Sequence, residues 1–287
     1  MKQNRRTWVT WIGWVLLLVA IGFACLQLGY LFVHERYAVE YIDKRLFYVI
    51  NILCVTFLCA AILLLLRLTK RFQWISISVV SIFMIANIVF LVTSNKEINN
   101  ITSISPNYKH VFSIKENVES GEAIYYRSYY RILARPKESL PDDIVGDYTI
   151  EWLAKDIAAF TYETADKTTQ QFIGTYGDRK NGTSYYYVGA EIQGEWEADD
   201  VNVISGPDGF AVTENNQTEL FEWDNIEQFG TLAIVLKQDD EAVWTIALDE
   251  NFVVDSSSAE GSKGNITLYR ADVENQQPIT LHNKTAN

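Results

Sequence analysis

Few side chains outside the apolar stretches of this chain could take part in catalysis. Of the three histidines, only His110 falls inside the long polar region, since His34 lies in a short connector and His282 lies near the end of the chain. All three cysteines lie in apolar stretches. The sequence has no zinc-protease motif, no nucleophile elbow and no phosphate-binding loop. We therefore predict no catalytic residue, no metal site and no cofactor.

Paired carboxylates are the one remaining route to catalysis. A glycoside hydrolase needs only two acids at a fixed separation, and residues 95–287 contain thirty-three Asp and Glu. The doublets Asp199-Asp200 and Asp239-Asp240 fall in predicted turns, where acids are ordinarily solvated. A membrane-anchored hydrolase of cell-wall glycans therefore stays an alternative, although we favour a protein that is not an enzyme.

One predicted strand, residues 122–134, alternates tyrosine and arginine on one face. Tyr125, Arg127, Tyr129 and Arg131 occupy every second position, so an extended strand places them on the same side of a sheet. Aromatic rings with interleaved guanidinium groups suit stacking on sugars or pairing with phosphates. These four residues are the candidate ligand-binding site. A strand whose arginines pair with nearby carboxylates explains the same pattern and is the favoured alternative.

Three apolar stretches must position everything else. They cover residues 8–33, 46–66 and 73–93, and each is long enough to cross a bilayer about 30 Å thick. We predict a three-helix transmembrane unit over residues 1–94. A cleaved signal peptide is the alternative for the first stretch, but the run is long for one and lacks a clean cleavage site.

The distribution of charge predicts how the chain is oriented. Residues 1–94 contain nine Lys and Arg against three Asp and Glu, whereas residues 95–287 contain fifteen against thirty-three. The basic residues cluster before the first stretch and between the second and third, which places both segments in the cytoplasm by the positive-inside rule. The carboxy-terminal region is then extracytoplasmic. Its acidity disfavours binding to nucleic acid.

The polar region after the spans predicts a mainly antiparallel β domain. We predict a polar stalk over residues 95–107, a β-rich domain over 108–275 and a disordered tail over 276–287. Apolar residues alternate with period two between frequent turns. Hairpins are predicted for 160–176, 201–213 and 231–248, with strands at 183–197 and 265–271. Helical spacing of Ile150, Leu153, Ile157 and Phe160 predicts one amphipathic helix over 149–159.

Composition and topology narrow the function to a broad class. The polar region has no cysteine, which favours the exterior of a Gram-positive bacterium, where exported domains usually lack disulfides. The spans contain no Asp, Glu, Lys, Arg, His or Pro, and this disfavours a subunit of a transport complex, which stays an alternative. We predict an accessory or sensor-like plasma-membrane protein. Its expected partners are the lipid bilayer, a membrane protein bound through the helices, and a polymer of the cell envelope.

Overall fold

The computed structural model describes residues 2–66, 68–177, 179, 187–254, 262–274 and 277–284, with side chains from residue 7 onward. These residues form two compact units. Unit 1 comprises Met1–Thr102, Ser113–Ser120 and Ile124–Ser139, and unit 2 comprises Ser103–Phe112, Gly121–Ala123 and Leu140–Asn287. Three apolar helices are followed by mostly antiparallel sheets, so the predicted fold class is confirmed.

Unit 1 begins with three long helices. They are α1 (Lys2–Tyr37), α2 (Arg45–Leu65) and α3 (Lys70–Glu97). Each is long and apolar enough to cross a membrane. In each helix, at most 11% of the most apolar 18-residue segment is buried within the protein. Helices of this length and apolar composition are typical of membrane spans. The three predicted spans are therefore confirmed as the helices of a multi-pass membrane protein.

Small residues allow α1 and α2 to approach closely. A Cβ atom added to Gly13 would lie 2.8 Å from the Leu65 side chain. Ala20 and Ala61 are both buried, and the Cys54 thiol donates to the Ala20 carbonyl at 3.5 Å. Membrane helices commonly pack through such residues because water cannot drive their association. Helix α2 also packs against α3.

A five-stranded sheet lies mostly in unit 1. Its strands are β1 (Glu40–Tyr41), β2 (Ile98–Ile104), β3 (Val111–Asn117), β4 (Ala123–Tyr129) and β5 (Leu133–Ser139). The spatial order is β1-β5-β4-β3-β2. Strand β1 lies between α1 and α2 in the chain, and β2 follows α3 without a break. Both edge strands are thus directly connected to membrane helices.

The stalk predicted over residues 95–107 is replaced by the end of α3 and by strand β2. Its polar residues suggested a solvated linker, but they have partners in the structure. The Asn99 amide donates to the Glu116 carboxylate at 2.9 Å, and the Asn100 side chain accepts from the Lys44 backbone at 3.3 Å. Ile101 is buried. A strand can therefore be polar when its side chains are satisfied within the sheet.

Unit 2 contains a three-stranded sheet where a helix was predicted. The strands are β6 (Tyr148–Ala154), β7 (Ile157–Glu163) and β8 (Thr169–Thr175), in the order β6-β7-β8. The predicted helix over 149–159 is therefore wrong. The pairing register shifts between Trp152 and Ala154, and strand β7 is buried on both faces from Ile157 to Tyr162. Apolar residues from both faces of these strands therefore fall at a spacing that resembles a helix.

A nine-stranded antiparallel sheet forms the rest of unit 2. The strands are β9 (Gly194–Ala198), β10 (Val201–Gly206), β11 (Gly209–Glu214), β12 (Gln217–Glu222), β13 (Ile226–Phe229), β14 (Ala233–Gln238), β15 (Glu241–Leu248), β16 (Asn265–Arg270) and β17 (Ile279–Asn283). Their order is β12-β11-β10-β9-β17-β16-β15-β14-β13. Trp196, Trp244 and Phe210 are fully buried in its core. Two short helical turns, α4 (Val188–Glu191) and η1 (Trp223–Asn225), accompany the sheet.

The hairpins predicted for 160–176, 201–213 and 231–248 are confirmed by the pairs β7–β8, β10–β11 and β14–β15. The strand predicted over 183–197 is only partly present: residues 183–186 lie outside the described residues, and α4 precedes β9. Strand β17 occupies part of the tail predicted to be disordered, with Leu281 fully buried. Residues 276 and 285–287 of that tail lie outside the described residues.

Candidate functional site

The connector between α1 and α2 is built into the sheet of unit 1. After α1, Ala38 adopts a left-handed conformation (φ 50°) and turns the chain. Glu40 and Tyr41 then pair with Ala134 and Leu133 of β5. The backbone N–H of Ile42 donates to the Ile132 carbonyl at 3.0 Å. A connector that the sequence suggested was a simple loop therefore has its backbone held by the strand beside it.

A buried ion pair fixes this connector from the side of β3. The Lys115 ammonium donates to the Glu40 carboxylate at 2.6 Å and to the Tyr41 carbonyl at 2.9 Å. It also lies 4.2 Å from the centre of the Tyr126 ring. The Lys115 side chain is 4% exposed and that of Glu40 is 25% exposed. Burial lowers the pKa of Lys115, and the hydrogen bond to Glu40 opposes that shift.

Aromatic rings stack where the connector meets α1. The Tyr30 and Tyr41 rings are stacked with 4.0 Å between their centres. The His34 ring also stacks on Tyr30, with 5.4 Å between ring centres. The Tyr41 hydroxyl donates to the Gln27 side-chain oxygen at 3.1 Å, and burial raises the pKa of Tyr41 to about 12. These contacts hold the connector against α1 and make one wall of a cavity.

That cavity has a volume of about 610 Å³ and lies entirely within unit 1, where α1 ends, α2 begins and α3 ends. Its size falls in the usual range for small-molecule sites. All three helices and β1 contribute to it. Its aromatic and apolar lining consists of Tyr30, Leu31, Tyr41, Phe47, Tyr48 and Phe90. Its polar lining consists of His34, Glu40, Lys44, Thr93, Ser94 and Glu97.

The two kinds of lining residue give the cavity an amphipathic character. Leu31 is 47% exposed and Phe90 is 60% exposed, and both belong to lipid-facing helices. Lys44 and Glu97 supply opposite charges within the same cavity. A molecule with a polar headgroup and an apolar tail matches this combination, because each part meets surface of its own kind.

The four predicted site residues are not all brought together. Tyr125 is 2% exposed, Arg127 is half-buried and Tyr129 is 42% exposed. Arg131 lies beyond the end of β4, in a turn where it has a left-handed backbone (φ 66°). The predicted strand 122–134 is thus divided at this turn. The Arg135 guanidinium instead lies 5.8 Å from the centre of the Tyr129 ring. Ligand binding by the four residues stays a prediction.

The histidine and the acid doublets considered for catalysis lie in three separate loops among the described residues. No group of three or more His, Cys, Asp and Glu within the described ranges could hold a metal ion. The His110 ring stacks on Tyr176 with 4.4 Å between ring centres. The doublets Asp199-Asp200 and Asp239-Asp240 lie in turns, as predicted.

No protein-family model, no curated protein and no solved structure matches this chain. Sequence reasoning missed the cavity because its residues come from four separate segments. The available signal was Lys115, which follows Val111, Phe112 and Ile114 in β3, since a buried lysine requires a partner.

We predict that Glu40→Gln destabilises the sheet of unit 1. The variant leaves the buried Lys115 ammonium without its carboxylate, which typically costs about 3–5 kcal/mol. Urea unfolding of the full-length protein in detergent, followed by circular dichroism, measures the loss. Glu227→Gln is the matched control, because Glu227 is 47% exposed in its ion pair with Lys237 and should lose at most about 1 kcal/mol.

A second variant separates the charge from the packing. Glu40→Gln combined with Lys115→Met removes both charges and should recover much of the loss. Equal losses for Glu40→Gln and Glu227→Gln would show that the buried pair does not hold the connector.

Tyr126 should make stability depend on alkaline pH. Burial, with a contribution from Glu40, raises the pKa of Tyr126 from 10.0 to about 12. Because the unfolded chain ionises this phenol at lower pH, its contribution to stability is complete below pH 10 and decreases as pH rises to about 12. We expect Tyr126→Phe to reduce the fall in melting temperature across that range. Tyr108→Phe, at a ring that is 71% exposed, should leave the fall unchanged, and equal slopes for the two variants would contradict the assignment.

Proposed function

We propose that this chain is a plasma-membrane binding protein that takes an amphipathic ligand in the cavity of unit 1 and acts as an accessory or sensor-like protein of the cell envelope. The observation that carries the proposal is the cavity itself, about 610 Å³ in volume and lined by all three helices and β1. Its mixed lining and its position at the helix ends match a ligand that resides at a membrane surface.

The proposed orientation has the amino terminus in the cytoplasm and the β regions outside. It rests on the charges of the sequence: Lys2, Arg5 and Arg6 lie at the start of α1, and Arg67, Lys70 and Arg71 lie around the connector between α2 and α3. Basic segments are retained on the cytoplasmic side. The cavity, at the opposite ends of the helices, then lies at the level of the outer lipid headgroups.

A sensor-like role follows from the elements that form the cavity walls. Glu40 and Tyr41 line the cavity and also pair with β5. A ligand that contacts these residues therefore contacts the sheet itself, without an intervening flexible loop. Occupancy can then bias the sheet, provided that the ligand binds one arrangement of β1 more tightly than another. The lipid-facing surfaces of the helices supply the proposed docking area for a membrane-protein partner.

Filling the cavity should abolish ligand binding. Ser94 lines the cavity on α3, and Ser94→Trp places a large ring in that space. We expect native mass spectrometry of the full-length protein, purified in mild detergent, to show a bound amphiphile that Ser94→Trp loses. Val92→Trp is the matched control, since Val92 lies on the same helix, is 50% exposed and is outside the cavity lining.

The contrast between the two variants tests the proposal. Loss of the amphiphile from Ser94→Trp with retention in Val92→Trp supports it. Equal occupancy in both variants, or a native protein that carries and takes up no amphiphile from total membrane lipid, would refute it.

A further inference from the structure

We infer that the cavity of unit 1 binds the headgroup of a zwitterionic phospholipid, one that carries a phosphate and a primary amine. The inference rests on the proposed function and specifies its ligand. Four charged or titratable residues besides the tyrosines line the cavity: His34, Glu40, Lys44 and Glu97. Their pairing determines which charges remain for a ligand.

The negative charge of Glu40 is already compensated by an ion pair. Its carboxylate accepts from the Lys115 ammonium at 2.6 Å, and that ammonium has only 4% of its side chain exposed. Such a pair contributes almost no net charge to a ligand beside it. Glu40 therefore shapes the cavity and leaves the selection of charge to other groups.

Lys44 and Glu97 remain as one positive and one negative group. Among the described residues, neither side chain forms an ion pair within 4.0 Å. The Lys44 backbone is fixed, because its N–H donates to the Asn100 side chain at 3.3 Å. The Glu97 backbone is fixed as well, because its carbonyl accepts from the Val118 N–H at 3.0 Å. Two opposite charges on anchored backbones complement a ligand that itself carries both signs.

His34 adds a directional hydrogen-bonding group. Its Nδ1 lies 2.8 Å from the Val39 carbonyl oxygen. A carbonyl only accepts, so Nδ1 carries the proton and Nε2 remains as the second polar atom of the ring. The stack on Tyr30 fixes the ring plane. This side chain supplies a further contact to a polar headgroup beside Lys44.

The apolar part of the lining accounts for the tails of such a lipid. Leu31 and Phe90 are exposed on helices that are apolar enough to span a membrane. An acyl chain that leaves the cavity past them stays in contact with hydrocarbon, so binding exposes no apolar surface to water. A free phosphate or a soluble zwitterion would make no use of this side of the cavity.

The balance of charge distinguishes this ligand from other lipids. An anionic phospholipid would pair its only charge with Lys44 and leave the Glu97 carboxylate without a partner. A neutral glycolipid would leave both charges without a counterion. Only a headgroup with an anionic and a cationic end pairs each group, and charge-assisted hydrogen bonds are the stronger kind.

Defined lipids test the assignment on the full-length protein. Native mass spectrometry in mild detergent would be titrated with phosphatidylethanolamine, phosphatidylglycerol and diglucosyl diacylglycerol. We expect the native protein to bind phosphatidylethanolamine about tenfold more tightly than the other two, the scale of one charge-assisted contact. Glu97→Gln should remove the preference over phosphatidylglycerol, and Lys44→Gln should weaken binding of both phospholipids about tenfold.

Matched controls exclude a general effect of surface charge. Glu35→Gln and Lys96→Gln change exposed residues near the same helix ends that are outside the cavity lining, and both should bind like the native protein. Tighter binding of phosphatidylglycerol or of the glycolipid, or a Glu97→Gln variant with unchanged preference, would overturn the inference.

The Ser94→Trp variant separates this inference from the proposed function. If that variant blocks binding of a lipid other than phosphatidylethanolamine, the ligand class is wrong and the binding function stands. If it binds every lipid as the native protein does, both are wrong.

Discussion

Everything in unit 1 depends on how a short polar connector satisfies its backbone where it leaves the membrane. Between α1 and α2 the chain has few residues with which to reverse direction, and unpaired N–H and C=O groups beside a bilayer are costly. Pairing of Glu40 and Tyr41 with β5 resolves this cost. The Lys115–Glu40 pair then holds the connector from β3. The sheet is consequently part of the membrane unit, joined to it through backbone hydrogen bonds and a buried ion pair.

This arrangement explains why a cavity can persist at the helix ends. Helices in lipid gain little from mutual burial and can move relative to one another. Here β1 follows α1 and precedes α2, while β2 follows α3 directly, so one sheet restrains the ends of all three helices. The stacked rings of Tyr30 on α1 and Tyr41 on β1 fix one wall of the cavity. The same sheet that positions the cavity also contains two of its lining residues, Glu40 and Tyr41, so the proposed ligand binding and the sheet geometry would depend on each other.

The sequence predicted the features that depend on local periodicity and failed where distant segments meet. The three spans and the hairpins β7–β8, β10–β11 and β14–β15 follow from unbroken apolar patterns. The bulge near Leu153 and the burial of both faces of β7 together produced a spacing that resembles a helix. Strand β17 escaped notice because its neighbours in sequence are polar, although Leu281 lies in the core. Alternation along the sequence predicted one strand face that carries Tyr125, Arg127, Tyr129 and Arg131. The strand instead ends at Tyr129, because Tyr130 and Arg131 adopt left-handed conformations and form a turn.

Hydrogen exchange of the native full-length protein in mild detergent tests most directly whether the connector is a strand of the sheet. The N–H of Ile42 donates to the Ile132 carbonyl, and residues 40–41 pair with β5. The amides of Glu40 and Ile42, the alternate residues whose N–H groups face β5, should therefore exchange as slowly as those of β5, because the same opening exposes both. Exchange of these two amides at the rate of an unprotected loop, while β5 stays protected, would contradict the account.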